Sequence, residues 1–310
     1  MNDFYSILTA LGPVFSLVFI GYIMGRTAFP STDFWPSAEH FTYYFLFPTL
    51  LVLKIGNATL PGEDLTNVVL LLVLLCILGT LLSFLLGKVV EKENRRVTSI
   101  IQGGIRFNTY VGLASASALF GEQGLLWGAV FLAIMIPTVN FACIACYAIL
   151  LPDKRSSLLK SFYLGVIKNP LIVACIFGAL LNISGIGIPK LATPLMSLIG
   201  AMALPLGLLA VGVGLDFKLL RKSAASLWAA ACFKLIVYPS LFMTLALFFE
   251  IPANAKPVLF LFALLPTAPS AYILARQLKG DAPLMAAIIT LQTLVAMISM
   301  PLMLLMKDLF

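Results

Sequence analysis

The chain is short of charge. Only 11% of its 310 residues are Asp, Glu, Lys or Arg, against roughly a quarter in a soluble domain. Hydrophobic residues make up 61% and the mean hydropathy is +1.05. There is one histidine, His40, and no Asp or Glu lies clearly inside a long apolar run. A His-Glu-x-x-His pair, a Gly-x-Ser-x-Gly elbow, a phosphate-binding loop and paired carboxylates are all missing, so no enzyme chemistry is readable. A cleavable leader is not expected either, because Met1-Asn2-Asp3 offers no basic start and the first apolar run continues to Gly25. The five cysteines all fall in apolar runs. Cys143 and Cys146 have redox spacing, but in mid-helix they read as small packing residues. These absences leave an all-α, polytopic membrane protein whose surroundings are lipid. The formal charge of +7 then needs no nucleic-acid partner, because basic residues collect in cytoplasmic loops of such proteins.

What is present is a rhythm of apolar runs of bilayer-spanning length. Ten are expected: 5–25, 38–54, 65–90, 99–120, 125–151, 161–182, 191–215, 224–249, 257–278 and 283–306. They divide into a first half, 1–151, a short cytoplasmic linker, 152–160, and a second half, 161–310. Gly21 pairs with Gly178 and Pro48 with Pro205, both at an offset of 157 residues, and Asn108 pairs with Thr267 at 159. Of the basic residues outside spans, 14 fall on one side of this ten-span arrangement and 4 on the other. The richer side is assigned to the cytoplasm, which places both termini outside a cytoplasmic (inner) membrane. Five spans per half make the halves inverted repeats, the usual build of secondary transporters.

Two stretches interrupt this rhythm. In Leu264-Leu265-Pro266-Thr267-Ala268-Pro269-Ser270-Ala271 two prolines stand inside the ninth run. Each removes a backbone donor and clashes with the preceding turn. Such a break survives in a membrane only where protein or a watery cavity surrounds it. The fourth run holds a matching weak point, Gly103-Gly104-Ile105-Arg106-Phe107-Asn108-Thr109-Tyr110. Paired interruptions in corresponding halves point to a binding site, and helix N-termini favour anions such as a carboxylate. The candidate contacts are therefore Arg106, Asn108 and Thr109 from the fourth run, with Pro266, Thr267, Pro269 and Ser270 from the ninth. Asn108 is expected to aim its carboxamide into a shared cavity. Gly104 and Gly112 support the crossing, and Pro48 and Pro205 bend the helices around it. Lys234 is the other basic residue inside a span, with no acidic partner in view. Glu39 and His40 open the second run as interfacial residues. No metal or cofactor is expected. The coupling ion, H+ or Na+, stays open, since carboxylate ligands are missing but backbone carbonyls at the breaks are not.

On Gly21-Tyr22-x-x-Gly25-Arg26, Phe47-Pro48, Arg106-Phe107-Asn108-Thr109-Tyr110-Val111-Gly112 and Pro266-Thr267-Ala268-Pro269-Ser270-Ala271, the chain resembles the auxin efflux carrier family, within the larger group that includes bile-acid/sodium symporters. The resemblance covers essentially the whole chain. It implies ten helices in a 5+5 inverted repeat, with the fourth and ninth broken and crossing near mid-membrane. It also implies that Asn108 meets the substrate carboxylate. The family's substrates are organic anions: auxin in plants, malate or malonate in bacterial members. The short linker matches a compact bacterial form, while the third run lacks the charged cluster of plant members. The expected function is alternating-access transport of a small organic anion. The third, fourth, fifth, eighth, ninth and tenth helices would form one bundle, and the first, second, sixth and seventh another, with a homodimer as an option. The alternatives are a sodium-coupled carrier of larger amphipathic anions and a substrate-gated channel or sensor.

Overall fold

A computed structural model describes residues 2–58, 65–151, 169–221 and 224–307. The expected linker, 152–160, and the start of the sixth run lie outside the described residues. Every regular element among those described is helical. In chain order they are α1 (Asn2–Arg26), α2 (Phe34–Phe41), α3 (Phe47–Gly56), α4 (Thr66–Val90), α5 (Asn94–Ile105) and α6 (Thr109–Leu150). Then follow α7 (Pro170–Ile183), α8 (Ala192–Ala201), α9 (Ala203–Val213), α10 (Ala224–Cys232), α11 (Tyr238–Ala246), α12 (Lys256–Ala263), α13 (Ser270–Gln277) and α14 (Ala282–Leu304). Among the described residues six stretches are long and apolar enough to cross a membrane: Phe4–Arg26, Thr66–Val90, Asn94–Leu150, Ala192–Val213, Ala225–Ala246 and Ala282–Leu304.

Prolines and glycines explain most of the boundaries. Pro48, Pro170, Pro239, Pro257 and Pro283 stand in the first turn of α3, α7, α11, α12 and α14, where a missing N–H is harmless. Pro48 and Pro239 each follow a one-turn π-helix, Thr42–Leu46 and Phe233–Val237, that carries the chain on from α2 and α10. A wider turn of this kind accommodates the proline without ending the helix. Pro205 likewise follows a break at Met202, which separates α8 from α9. Pro48 and Pro205 thus each stand just after an irregular turn.

The 57-residue stretch Asn94–Leu150 is not one rod. It is unwound at residues 106–108, and it folds back at Gly121, whose φ of 56° suits glycine. Along a straight helix residues 113 and 128 would stand about 22 Å apart. Instead a Cβ placed on Gly128 would lie 3.1 Å from the Leu113 side chain.

Packing uses small residues at close approaches, as membrane helices do. Helix α1 lies against α9, with Gly21 over the Leu209 backbone and Gly212 over the Val18 carbonyl. Helix α7 lies against α3, with Gly178 over Val52 and Ile55. Residues 258–267, which include most of α12, are buried without exception, so the proline break at its end is enclosed by protein.

Candidate functional site

The two interrupted stretches meet. Backbone is unwound at residues 106–108 and again at 265–268, and the Asn108 N–H donates to the Pro266 carbonyl at 2.8 Å. Thr267 is fully buried, and its hydroxyl donates to the Gly103 carbonyl at 2.9 Å. A third element closes the knot. The Gln292 side chain, from α14, accepts from the Thr267 N–H at 3.0 Å. Its amide donates to the Gly103 carbonyl at 2.9 Å and the Ala230 carbonyl at 3.0 Å. Backbone groups freed by the breaks thus find partners inside the protein, as an apolar medium requires. Gly104 fits under Ser83 and Phe233, and Gly112 under Leu265 and Phe262, so both expected support glycines lie at close contacts of the crossing.

A cavity of about 590 Å3 opens beside this knot. Its wall includes Arg106, Asn108 and Thr109 from the first break and Pro269 and Ser270 from the second. Pro266 and Thr267 are not on that wall. Both are spent on the crossing itself, because the unwound backbone turns the Thr267 hydroxyl toward α5. Asn108 also differs from expectation in half of its carboxamide. Its Oδ1 accepts from the N–H groups of Tyr110 and Val111, which makes it the N-cap of α6. Only Nδ2 is left, and that atom is buried without a partner.

Three helix starts face this cavity: α6 behind Asn108, α7 behind Asn169, and α13 at Ser270. Asn169 caps α7 through the N–H groups of Leu171 and Ile172. Helix starts carry partial positive charge. The Arg106 guanidinium adds a full one. It donates to Asn140 Oδ1 at 2.7 Å and to Ser270 Oγ at 3.3 Å, while its buried Nε has no partner. A guanidinium and helix dipoles on one wall favour an anion, while Arg106 Nε and Asn108 Nδ2 are themselves buried and Glu39 adds a carboxyl group to the lining. The remaining wall is mostly aromatic and apolar, apart from Glu39, His40 and Gln277, and its Tyr110 stacks on Phe47 at 5.0 Å between ring centres.

Sequence comparison gives this geometry its context. Residues 152–304 match the family described as membrane transport protein. That match covers 153 of the 310 residues, nearly all of the second half. The membrane transport assignment agrees with the resemblance to auxin efflux carriers, and it makes this a multi-pass membrane protein. An uncharacterized transporter of Methanothermobacter thermautotrophicus is 23% identical over 293 residues, 93% of this chain and 94% of the relative. An uncharacterized transporter of Methanocaldococcus jannaschii is 23% identical over 296 residues, 90% of this chain and 92% of the relative. The similarity therefore runs through both breaks.

Several wall residues, Asn140, Asn169 and Tyr43 among them, were not singled out by the sequence. Asn140 and Asn169 are amides at the edge or interior of apolar runs, which is a signal in itself. Asn169-Pro170 additionally has the form of a helix start. Tyr43, Glu39 and His40 reach the cavity because α2 leads past its mouth. His40 stacks on Tyr44 at 4.4 Å. Gln292 lies off the wall but ties the crossing together.

Proposed function

We propose that this protein is a secondary carrier that moves small organic anions, carboxylates of the size of malate, malonate or auxin-like acids, across the cytoplasmic membrane by alternating access. The observation that carries the reading is the convergence of Arg106, Asn108 and three helix starts on one cavity beside two broken helices. A carboxylate would take its hydrogen bonds from Asn108 and Arg106 and its electrostatic support from the helix ends. The apolar and aromatic wall would hold the body of the acid.

In this reading ten spans form two inverted five-helix repeats. Support comes from the way the halves exchange partners. The first helix packs on the seventh through Gly21, while its counterpart the sixth packs on the second through Gly178. One bundle then comprises the first, second, sixth and seventh helices, and the other holds the crossing. The aromatic contact Phe47–Tyr110 lies between the two bundles. Pro36, Glu39, His40 and Gln277, at the cavity mouth, belong to helix ends on the basic, cytoplasmic side. The conformation is accordingly inward-open, with both termini outside. Association of two copies through the first bundle is part of the same proposal.

The test is counterflow in proteoliposomes: unlabelled malate inside, labelled malate outside, no ion gradient. A carrier concentrates label transiently and saturates. A channel equilibrates it without overshoot, and that result with malate, malonate and indole-3-acetate alike would overturn the reading.

A further inference from the structure

Lys234 is fully buried, and its Nζ has no hydrogen-bond partner. An ammonium carries three donors, and here none is used. The nearest favourable feature is the face of Tyr238, 4.0 Å from Nζ to the ring centre. No Asp or Glu occurs in any helix packed around it, namely α4, α5, α10, α11 and α14. The ionisable groups those helices do turn toward it are the Cys76 thiol of α4 and Tyr238 itself, whose hydroxyl also lacks a partner. Lys88, Arg95 and Arg96 sit about two turns or more away along their helices. An unpaired charge in such surroundings is costly to hold, within protein or lipid.

The position is mechanically connected to the crossing. Lys234 lies in the π-turn Phe233–Val237, an irregularity frequent at functional sites. Phe233 of that turn presses on Gly104, where an added Cβ would come within 2.9 Å of its ring. Tyr238 presses on Gly79 in the same manner, at 2.6 Å. Just before the turn, the Ala230 carbonyl is bonded to Gln292, which also holds Gly103 and Thr267. A rearrangement of the crossing therefore cannot leave the surroundings of Lys234 unchanged.

We propose that Lys234 is the proton-binding group of the transport cycle. It rests on the carrier reading above. In this proposal the packing seen here, which gives Nζ no partner, is the one that holds the amine. When the crossing rearranges and water reaches the π-turn, the amine takes a proton from that aqueous phase and becomes the ammonium. On the return to the packing seen here the ammonium loses its proton, before the π-turn closes, to the water of the cavity then open beside the crossing, and the amine is buried again. One positive charge thus accompanies the organic anion, and no carboxylate relay is needed.

Two measurements test this. The first needs no substrate: spectra of protein carrying 15N-labelled lysine, in lipid nanodiscs, with Lys234→Met identifying the signal. A Lys234 signal with the amine shift at neutral pH, moving to the ammonium shift on acidification, is expected. An ammonium signal throughout the range from pH 6 to 9 overturns the proposal. The second is transport by Lys234→Met and Lys234→Gln in proteoliposomes. Ion-gradient-free malate counterflow should stay within about twofold of the parent, while accumulation driven by a pH gradient falls to the level without one. Retained pH-driven accumulation overturns the proposal, as does loss of counterflow by both variants when they remain folded, since that marks a purely structural role. If the parent itself shows no counterflow, the carrier reading fails, and the spectra still decide the state of Lys234.

Discussion

The N–H of Asn108 bonds to the carbonyl of Pro266 at 2.8 Å, joining the gap of one interrupted helix to the gap of another half a chain away. Proline 266 cannot donate, and its carbonyl, freed by the break, accepts from the residue that caps the opposite helix. One hydrogen bond therefore serves both defects. The side chain of Asn108 remains divided between a structural oxygen, bonded to Tyr110 and Val111, and a buried nitrogen without a partner.

Gln292 should be the most sensitive structural residue of the crossing. Gln292→Leu would take the side-chain partner from the Thr267 N–H and one bond each from the Ala230 carbonyl and the Gly103 carbonyl, the last of which keeps the Thr267 hydroxyl. A buried group left unpaired costs about 1–3 kcal/mol. Thermal unfolding in detergent should show a fall of roughly 5 °C or more, with transport lost as well. An unchanged transition would show that these bonds do not hold the knot.

Arg106 offers a graded test of anion attraction. Arg106→Gln removes the charge but keeps donors near Asn140 and Ser270. A charge-assisted hydrogen bond contributes about 1.5–3 kcal/mol, so the KM for a carboxylate should rise roughly tenfold or more. Arg106→Lys should recover part of that loss, because a point charge lacks the fork that reaches two partners. Equal KM values in all three proteins would remove Arg106 from the site.

Where α1 meets α9, Gly21→Ala would drive a methyl group into the Leu209 backbone. Backbone cannot yield as a flexible side chain does. The expected destabilisation is about 1–3 kcal/mol, visible as a lowered unfolding temperature. Gly12→Ala, on the same helix with open space around it, is the matched control and should change little.

Much of this was legible because membranes magnify backbone defects. Pro266 and Pro269 in an apolar run announce a break, and the glycines before Asn108 announce its partner. The separation of roles among those residues was not legible. Whether Thr267 faces a substrate or the Gly103 carbonyl depends on how two stretches cross, and no local propensity encodes that. The same holds for Glu39 and His40, which look interfacial in sequence and reach the cavity only through the path of α2. Gln292 and Asn140 left a weaker trace as single amides in apolar helices. The π-turn before Pro48 was foreshadowed only as a proline bend, and the one before Pro239 was not foreshadowed. The linker at 152–160 falls outside the described residues.

The most direct test of the central claim compares Asn108→Ala with Asn108→Asp in malate counterflow. Alanine removes both the cap, about 1 kcal/mol of helix stability, and the free donor. Aspartate keeps an oxygen to cap Tyr110 and Val111 but replaces Nδ2 with a second, negatively charged acceptor. The account predicts that both proteins insert and fold, that the aspartate variant is the more stable of the two, and that neither exchanges malate. Counterflow retained by Asn108→Asp would contradict it, because the helix cap alone would then suffice and the free nitrogen of Asn108 would not be what holds the anion.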